Sequence, residues 1–175
     1  MLSVGGGFYI DRNEKVKYET PSKTKLEAVK CIQGFAKDPT RGIPANASYN
    51  FVKSKEKAYL LHTFSERDIS VLIYEIPNKF DTYSYLTYYF KNGKLLYLVY
   101  DFMPDHDSYD SFSGMGSIFH YYLKGIESEL GTKYDYYDNG YNSYFANWDN
   151  KNWTAMFAVD DKNLYTSALL IVTPK

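Results

Sequence analysis

The chain has 175 residues, of which 45% are hydrophobic and 23% charged, and its formal net charge is −1. This composition excludes an intrinsically disordered chain, and the near-neutral charge gives no general attraction to nucleic acid or to an anionic membrane. The length suffices for a core of its own, so we expect a flexible start over 1–7 and one domain over 8–175. Tyrosine is the outlier with 20 residues, and its amphipathic ring suits half-buried sheet faces and binding surfaces.

The charge is unevenly distributed along the chain. Residues 1–60 carry 11 Lys+Arg against 6 Asp+Glu, whereas residues 61–175 carry 9 against 15. Two interpretations are open: the two regions attract each other in the fold, or the second region presents an acidic face to a basic partner.

The first 57 residues predict one helix and little other regular structure. Phe8–Tyr18 is compatible with a first strand. A capping box at Thr24 and Glu27, followed by apolar residues at helical spacing, predicts a helix over 24–37. The Pro- and Gly-containing stretch that follows predicts a loop with a short strand at Tyr49–Val52.

The middle of the chain predicts strands. Ala58–Phe64 and Ile69–Ile76 are rich in apolar and β-branched residues, and a polar turn separates them. Asn92-Gly93 then divides Thr82–Phe102 into two dense runs of aromatic and β-branched residues. Because a type I′ turn needs positive φ at both central residues, an Asn-Gly pair in this setting predicts a long β-hairpin, which we place at the centre of a sheet.

The last third predicts a helix and four strands. Apolar residues recur at helical spacing from Met115 to Leu130, and Gly131 follows where a C-terminal cap is expected. Short Asp/Asn-rich turns separate the four expected strands, which are Lys133–Tyr137, Tyr141–Trp148, Trp153–Val159 and Tyr165–Val172.

These elements predict an α+β fold with a large antiparallel sheet of about eight to nine strands and two helices packed on one face. Each helix precedes a run of antiparallel strands. That order suggests two α-β4 units side by side, over 22–102 and 111–175, although the two halves share no residue-level identity.

The hairpin turn also predicts which side chains share a face, because it pairs Lys91 with Lys94. One face would carry Leu86, Tyr88, Phe90, Leu95, Tyr97 and Val99. The other face would carry Tyr83, Tyr85, Tyr89, Leu96, Leu98, Tyr100 and Phe102. Neither face is polar, so either both are covered or the tyrosine-richer one is an exposed aromatic platform.

An acidic loop after the hairpin is the sharpest candidate for chemistry. Its carboxylates and imidazole could bind a divalent cation, and the residues concerned are Asp105, His106, Asp107 and Asp110. Their spacing does not match a calcium-binding loop, and a solvated loop that caps the next helix explains them as well. We therefore assign no metal and no cofactor, and keep these residues as weak candidates.

The sequence contains no catalytic motif, and this favours a protein that is not an enzyme. We expect a non-enzymatic binding protein with an inhibitor, immunity-type or surface-binding role. It would engage a macromolecule, a protein foremost, through a tyrosine-rich sheet face and aromatic turns. The candidate binding residues are Tyr83, Tyr85, Tyr89, Tyr100, Tyr137, Tyr141, Tyr144, Trp148 and Trp153. The alternative is a small-molecule-binding domain or enzyme with a tyrosine-lined pocket and an Asp/His site around 101–110.

The same residues are compatible with several kinds of partner. Self-association fits the two-sided apolar hairpin, and carbohydrate binding fits the aromatic turns. The acidic surroundings of the hairpin argue against nucleic acid. No apolar run is long enough to predict a membrane span, and the start of the sequence does not resemble a signal peptide. A mature secreted chain would look the same, so the compartment is left unassigned.

Overall fold

The computed structural model describes residues 38–77, 83–102, 115–138, 144–162 and 165–175. The predicted helix over 24–37 and the predicted strand Phe8–Tyr18 lie outside these residues. In chain order the elements are α1 Tyr49–Lys55, β1 Tyr59–Glu66, β2 Ile69–Pro77, β3 Tyr83–Lys91, β4 Lys94–Phe102, α2 Met115–Leu130, β5 Asp135–Asp138, β6 Tyr144–Asp149, β7 Trp153–Lys162 and β8 Tyr165–Pro174. Neither of these helices is long and apolar enough to cross a membrane.

All eight strands form one antiparallel sheet in the order β1-β2-β3-β4-β8-β7-β6-β5. Each half is a four-stranded meander, as expected when short turns join consecutive strands. The two meanders meet where β4 pairs with β8, so β1 and β5 are the outermost of the described strands. The predicted α+β fold with a large antiparallel sheet and two helices is confirmed, and the division into two related units stays a prediction.

The hydrophobic core lies on the sheet face that contacts the helices, which we call the core face. Phe119 of α2 stacks on Phe157 of β7 with ring centroids 5.2 Å apart. Tyr49 of α1 contacts Phe90 of β3 edge-on at 5.4 Å, and Val52 is fully buried. Aromatic pairs of this kind add to the stability gained from burial.

The predicted strand at Tyr49–Val52 is wrong, because these residues form most of α1. The Ser48 hydroxyl accepts a hydrogen bond from the Phe51 amide at 3.2 Å and caps the helix. Tyr, Phe and Val favour strands in general, but the cap and the burial of Val52 outweigh that preference here.

The predicted hairpin turn is present, with φ of 51° at Asn92 and 73° at Gly93. The predicted faces, however, are wrong beyond the turn, because β4 contains a β-bulge. Phe90 pairs with Leu95, but the next residue of β3, Tyr89, pairs with Tyr97. Leu96 is therefore an extra residue in β4, and it is exposed.

One extra residue exchanges the two faces for the rest of a strand, because side chains alternate with a period of two. The bulge therefore moves Leu98, Tyr100 and Phe102 to the core face, where all three are buried. It moves Tyr97 and Val99 to the opposite face, beside Tyr89 and Thr87.

Candidate functional site

The candidate functional site is the sheet face opposite the core face, which we call the open face. Neither α1 nor α2 packs on it. Residues paired across neighbouring antiparallel strands point to the same side, so the side chains of this face form rows across the sheet. The first row runs from one sheet edge to the other through Tyr59, Glu75, Tyr85, Asp101, Leu169, Ala158, Phe145 and Tyr137.

Three more rows follow along the strands. The second row contains His62, Ile73, Thr87, Val99, Ile171, Met156, Asn147 and Asp135. The third contains Phe64, Val71, Tyr89 and Tyr97, and the fourth contains Glu66, Ile69, Lys91 and Lys94. The middle rows are therefore mainly aliphatic and aromatic, and most of the charged residues lie in the first and fourth rows.

Much of this face is accessible to solvent. Phe64 is 48% exposed and Tyr137 50% exposed, whereas Tyr85, Tyr89 and Tyr97 are half-buried among their neighbours. A contiguous apolar sheet face of this size is typical of a surface that contacts another molecule.

Tyr89 and Tyr97 form the aromatic centre of the open face. Their ring centroids are 4.8 Å apart, and they are directly paired across β3 and β4. Partial burial raises the pKa of the Tyr89 hydroxyl, and the neighbouring Tyr97 and Asp101 raise it further. The hydroxyl therefore stays protonated near neutral pH and can donate a hydrogen bond to a partner.

The structure divides the predicted binding residues between the two faces. Tyr85, Tyr89 and Tyr137 lie on the open face. Tyr141 and the side chain of Tyr83 lie outside the described part of the chain. The remaining four are buried on the core face, namely Tyr100, Tyr144, Trp148 and Trp153.

The buried aromatic residues have structural contacts. Tyr144 packs on Phe119 with ring centroids 5.6 Å apart, and the Trp148 indole donates a hydrogen bond to the Gly131 carbonyl at 2.9 Å. Their aromatic character therefore reflects the filling of a large core, and they are not available to a partner on the surface.

Sequence reasoning missed four aromatic residues of the open face, one of which is the exposed Tyr59 on β1. Tyr97 was placed on the wrong face because of the bulge. Phe64 and Phe145 were not singled out, although alternation along their strands could have identified them. Phe145 stacks on Tyr137 with centroids 4.6 Å apart and nearly parallel rings, so these two form one aromatic surface near the β5 edge.

The acidic loop candidates Asp105, His106, Asp107 and Asp110 lie outside the described residues. Within the residues that are described, no group of three His, Cys, Asp or Glu side chains could hold a metal ion. The two histidines that are described lie apart. His62 is exposed on edge strand β1, and His120 is half-buried on α2, where burial lowers its pKa despite nearby Asp138 and Glu127.

A cleft of about 410 Å³ lies between the loop at 38–45 and residues Asn152, Trp153, Pro174 and Lys175. Its main polar groups already have partners: the Asp38 carboxylate accepts hydrogen bonds from Thr40 and from the Gly42 amide, and the Lys175 ammonium pairs with Asp149. The cleft contains no open-face tyrosine and no residue of the acidic loop.

A buried ion pair ties the loop and the end of α1 to the core face. The Arg41 guanidinium donates two hydrogen bonds of 2.7 Å to the Glu56 carboxylate, and Tyr88 donates a third at 2.8 Å. Burial alone would raise the pKa of Glu56, but the bonds from Arg41 and from the Ala58 amide outweigh it, so the pKa is lowered. Every oxygen of the carboxylate is thus occupied, which fits a structural role.

Comparisons with known proteins add little to this geometry. No family model matches the chain, and no curated protein matches it. One solved structure that is similar belongs to a DUF4309 family protein, YjgB, from Bacillus subtilis. The two chains are 11% identical, the match covers 86% of this chain and 97% of that chain, and the TM-score is 0.46. The function must therefore be argued from the open face.

Proposed function

We propose that this protein is a non-enzymatic binding protein that docks a partner protein on the open face. The observation that carries the proposal is the position of Tyr85, Tyr89 and Tyr97, which are half-buried on one sheet face that neither α1 nor α2 covers. Tyrosine provides a large contact area at little cost in conformational entropy, and its hydroxyl adapts to polar groups of a partner.

The dimensions of the face favour a macromolecule over a small ligand. The first two rows cross eight strands and span about 34 Å, and on β1–β4 the first and fourth rows lie about 20 Å apart along the strands. The resulting area of roughly 700 Å² is near the ~800 Å² that each partner contributes to a standard protein interface. A small-molecule site would instead be concave and would enclose its ligand.

A photo-crosslinking experiment tests this proposal. Tyr97 is replaced by p-benzoylphenylalanine in cells that naturally produce the protein, and the matched control carries the same group at Lys124, an exposed position on α2. We expect a crosslinked product with another protein from position 97 and none from position 124. Equal products from both positions, or no product with another protein from position 97, would contradict the proposal.

A further inference from the structure

The open face carries opposite charges at its two ends. In the first row, the half-buried residues Glu75 and Asp101 flank Tyr85 on the neighbouring strands. In the fourth row, about 20 Å away along the strands, Lys91 and Lys94 lie side by side and are exposed, and the exposed Glu66 lies two strands from Lys91 on β1. The two ends share strands β3 and β4, so the charge pattern follows the strand direction.

We propose that this pattern lets the open face pair with the open face of a second copy of the chain. The proposal rests on the proposed function of this face and names one partner for it. In this pairing a two-fold axis lies in the plane of the interface and runs perpendicular to the strands. It passes between the second and third rows. On β1–β4 the first row of one copy then lies over the fourth row of the other, so each of these four strands faces its own counterpart.

This arrangement places complementary groups opposite each other. On β4, Asp101 faces Lys94 of the second copy, and on β3, Tyr85 faces Lys91 of the second copy. Glu75 lies one strand away from that same lysine, within reach of its long side chain. A lysine over a tyrosine ring and between two carboxylates gains both cation–π and charge attraction.

The two middle rows also match. The axis places the second row over the third row of the second copy, so Thr87 faces Tyr89 and Val99 faces Tyr97. These are β-branched side chains against aromatic rings, which pack well between sheets about 10 Å apart. Ile73 faces Val71, which is a contact between two β-branched side chains.

The charges also exclude the competing arrangement. A two-fold axis along β3 would place Glu75 over Asp101 of the second copy, and like charges in an interface are costly. The axis across the strands instead places Asp101 over Lys94 of the second copy, while Glu66 lies over Tyr59. The contact is isologous and closes as a dimer, and its modest area makes the dimer reversible at low concentration.

The test reverses the lysines of the fourth row in the full chain. The variant K91E/K94E puts carboxylates over carboxylates, and we expect it to keep the fold because both side chains are exposed. Light scattering over a concentration series should show the wild type rising from 20.3 kDa toward twice that mass. We expect K91E/K94E to dimerise at least about tenfold more weakly, and high salt to weaken the wild-type dimer.

The control variant K53E/K124E makes the same change in net charge on α1 and α2, and it should dimerise like the wild type. The single variants E75K and K91E each place like charges side by side across the axis and should weaken the dimer, and mixing the two should restore it because the changed positions then attract each other. A wild type that stays monomeric, or a dimer that is insensitive to K91E/K94E, or equally weakened by K53E/K124E, would overturn the proposal.

Failure of the dimer can be distinguished from failure of the proposed function, which the crosslinking experiment tests. A monomeric wild type that still crosslinks to another protein from position 97 removes the dimer alone. A dimer whose position 97 crosslinks only to its own copy supports the pairing and removes the binding of another protein.

Discussion

Replacing Arg41 with Ala is expected to lower the free energy of unfolding by about 3–5 kcal/mol. The Arg41 and Glu56 side chains are only 8% and 2% exposed, so the Glu56 carboxylate would lose its buried counter-charge and two hydrogen bonds. A buried carboxylate without a partner is far more costly than the loss of an exposed pair. Urea denaturation followed by tyrosine and tryptophan fluorescence measures the change.

Two further variants make this prediction specific to the ion pair. Lys55→Ala removes an exposed cation of α1 and should change the free energy of unfolding by no more than about 0.5 kcal/mol. The double variant R41M/E56L removes both charges and should be more stable than R41A. A cost for R41A as small as that of Lys55→Ala would show that the pair is not buried as described.

Tyr100→Ala is expected to cost about 3–5 kcal/mol, because it removes a large aromatic side chain from a fully buried position on the core face. Tyr97→Ala, three residues earlier on the same strand, should cost only about 1 kcal/mol, because Tyr97 lies half-buried on the open face. Thermal and urea denaturation of the two variants under one set of conditions gives the comparison.

The order of these two costs tests the register of β4. A strand without the bulge at Leu96 would place Tyr97 in the core and Tyr100 on the opposite face. A larger cost for Tyr97→Ala than for Tyr100→Ala would therefore contradict the bulge, and with it the composition of the open face.

Sequence patterns that span only a few residues predicted most of the described helices and strands correctly. The Asn92-Gly93 turn and the apolar stripe of Met115–Leu130 are local, so they could be identified without knowing what the segments contact. The bulge at Leu96 is different, because it depends on how β4 pairs with β3 while Leu98, Tyr100 and Phe102 fill the core. In the sequence, residues 95–100 of β4 form an uninterrupted apolar run, which does not indicate where a bulge lies.

The candidate site was predicted only in part. Alternation from the turn placed Tyr85 and Tyr89 on one face, and both lie on the open face. The aromatic residues Tyr144, Trp148 and Trp153 could not be assigned in this way, because large aromatic side chains are equally suited to an interface and to the core. Burial on the core face depends on the packing of distant segments, so only the structure separates the two roles.

Hydroxyl-radical footprinting of β4 tests most directly that the open face exists and carries the tyrosines assigned to it. The experiment uses the K91E/K94E variant at low concentration, so that a second copy does not shield the face, and mass spectrometry measures oxidation residue by residue. We expect Leu96 and Tyr97 to be oxidised readily in the folded protein, and Leu98 and Tyr100 to be protected until it unfolds. Protection of Tyr97, or ready oxidation of Tyr100, would contradict the open face and the function proposed for it.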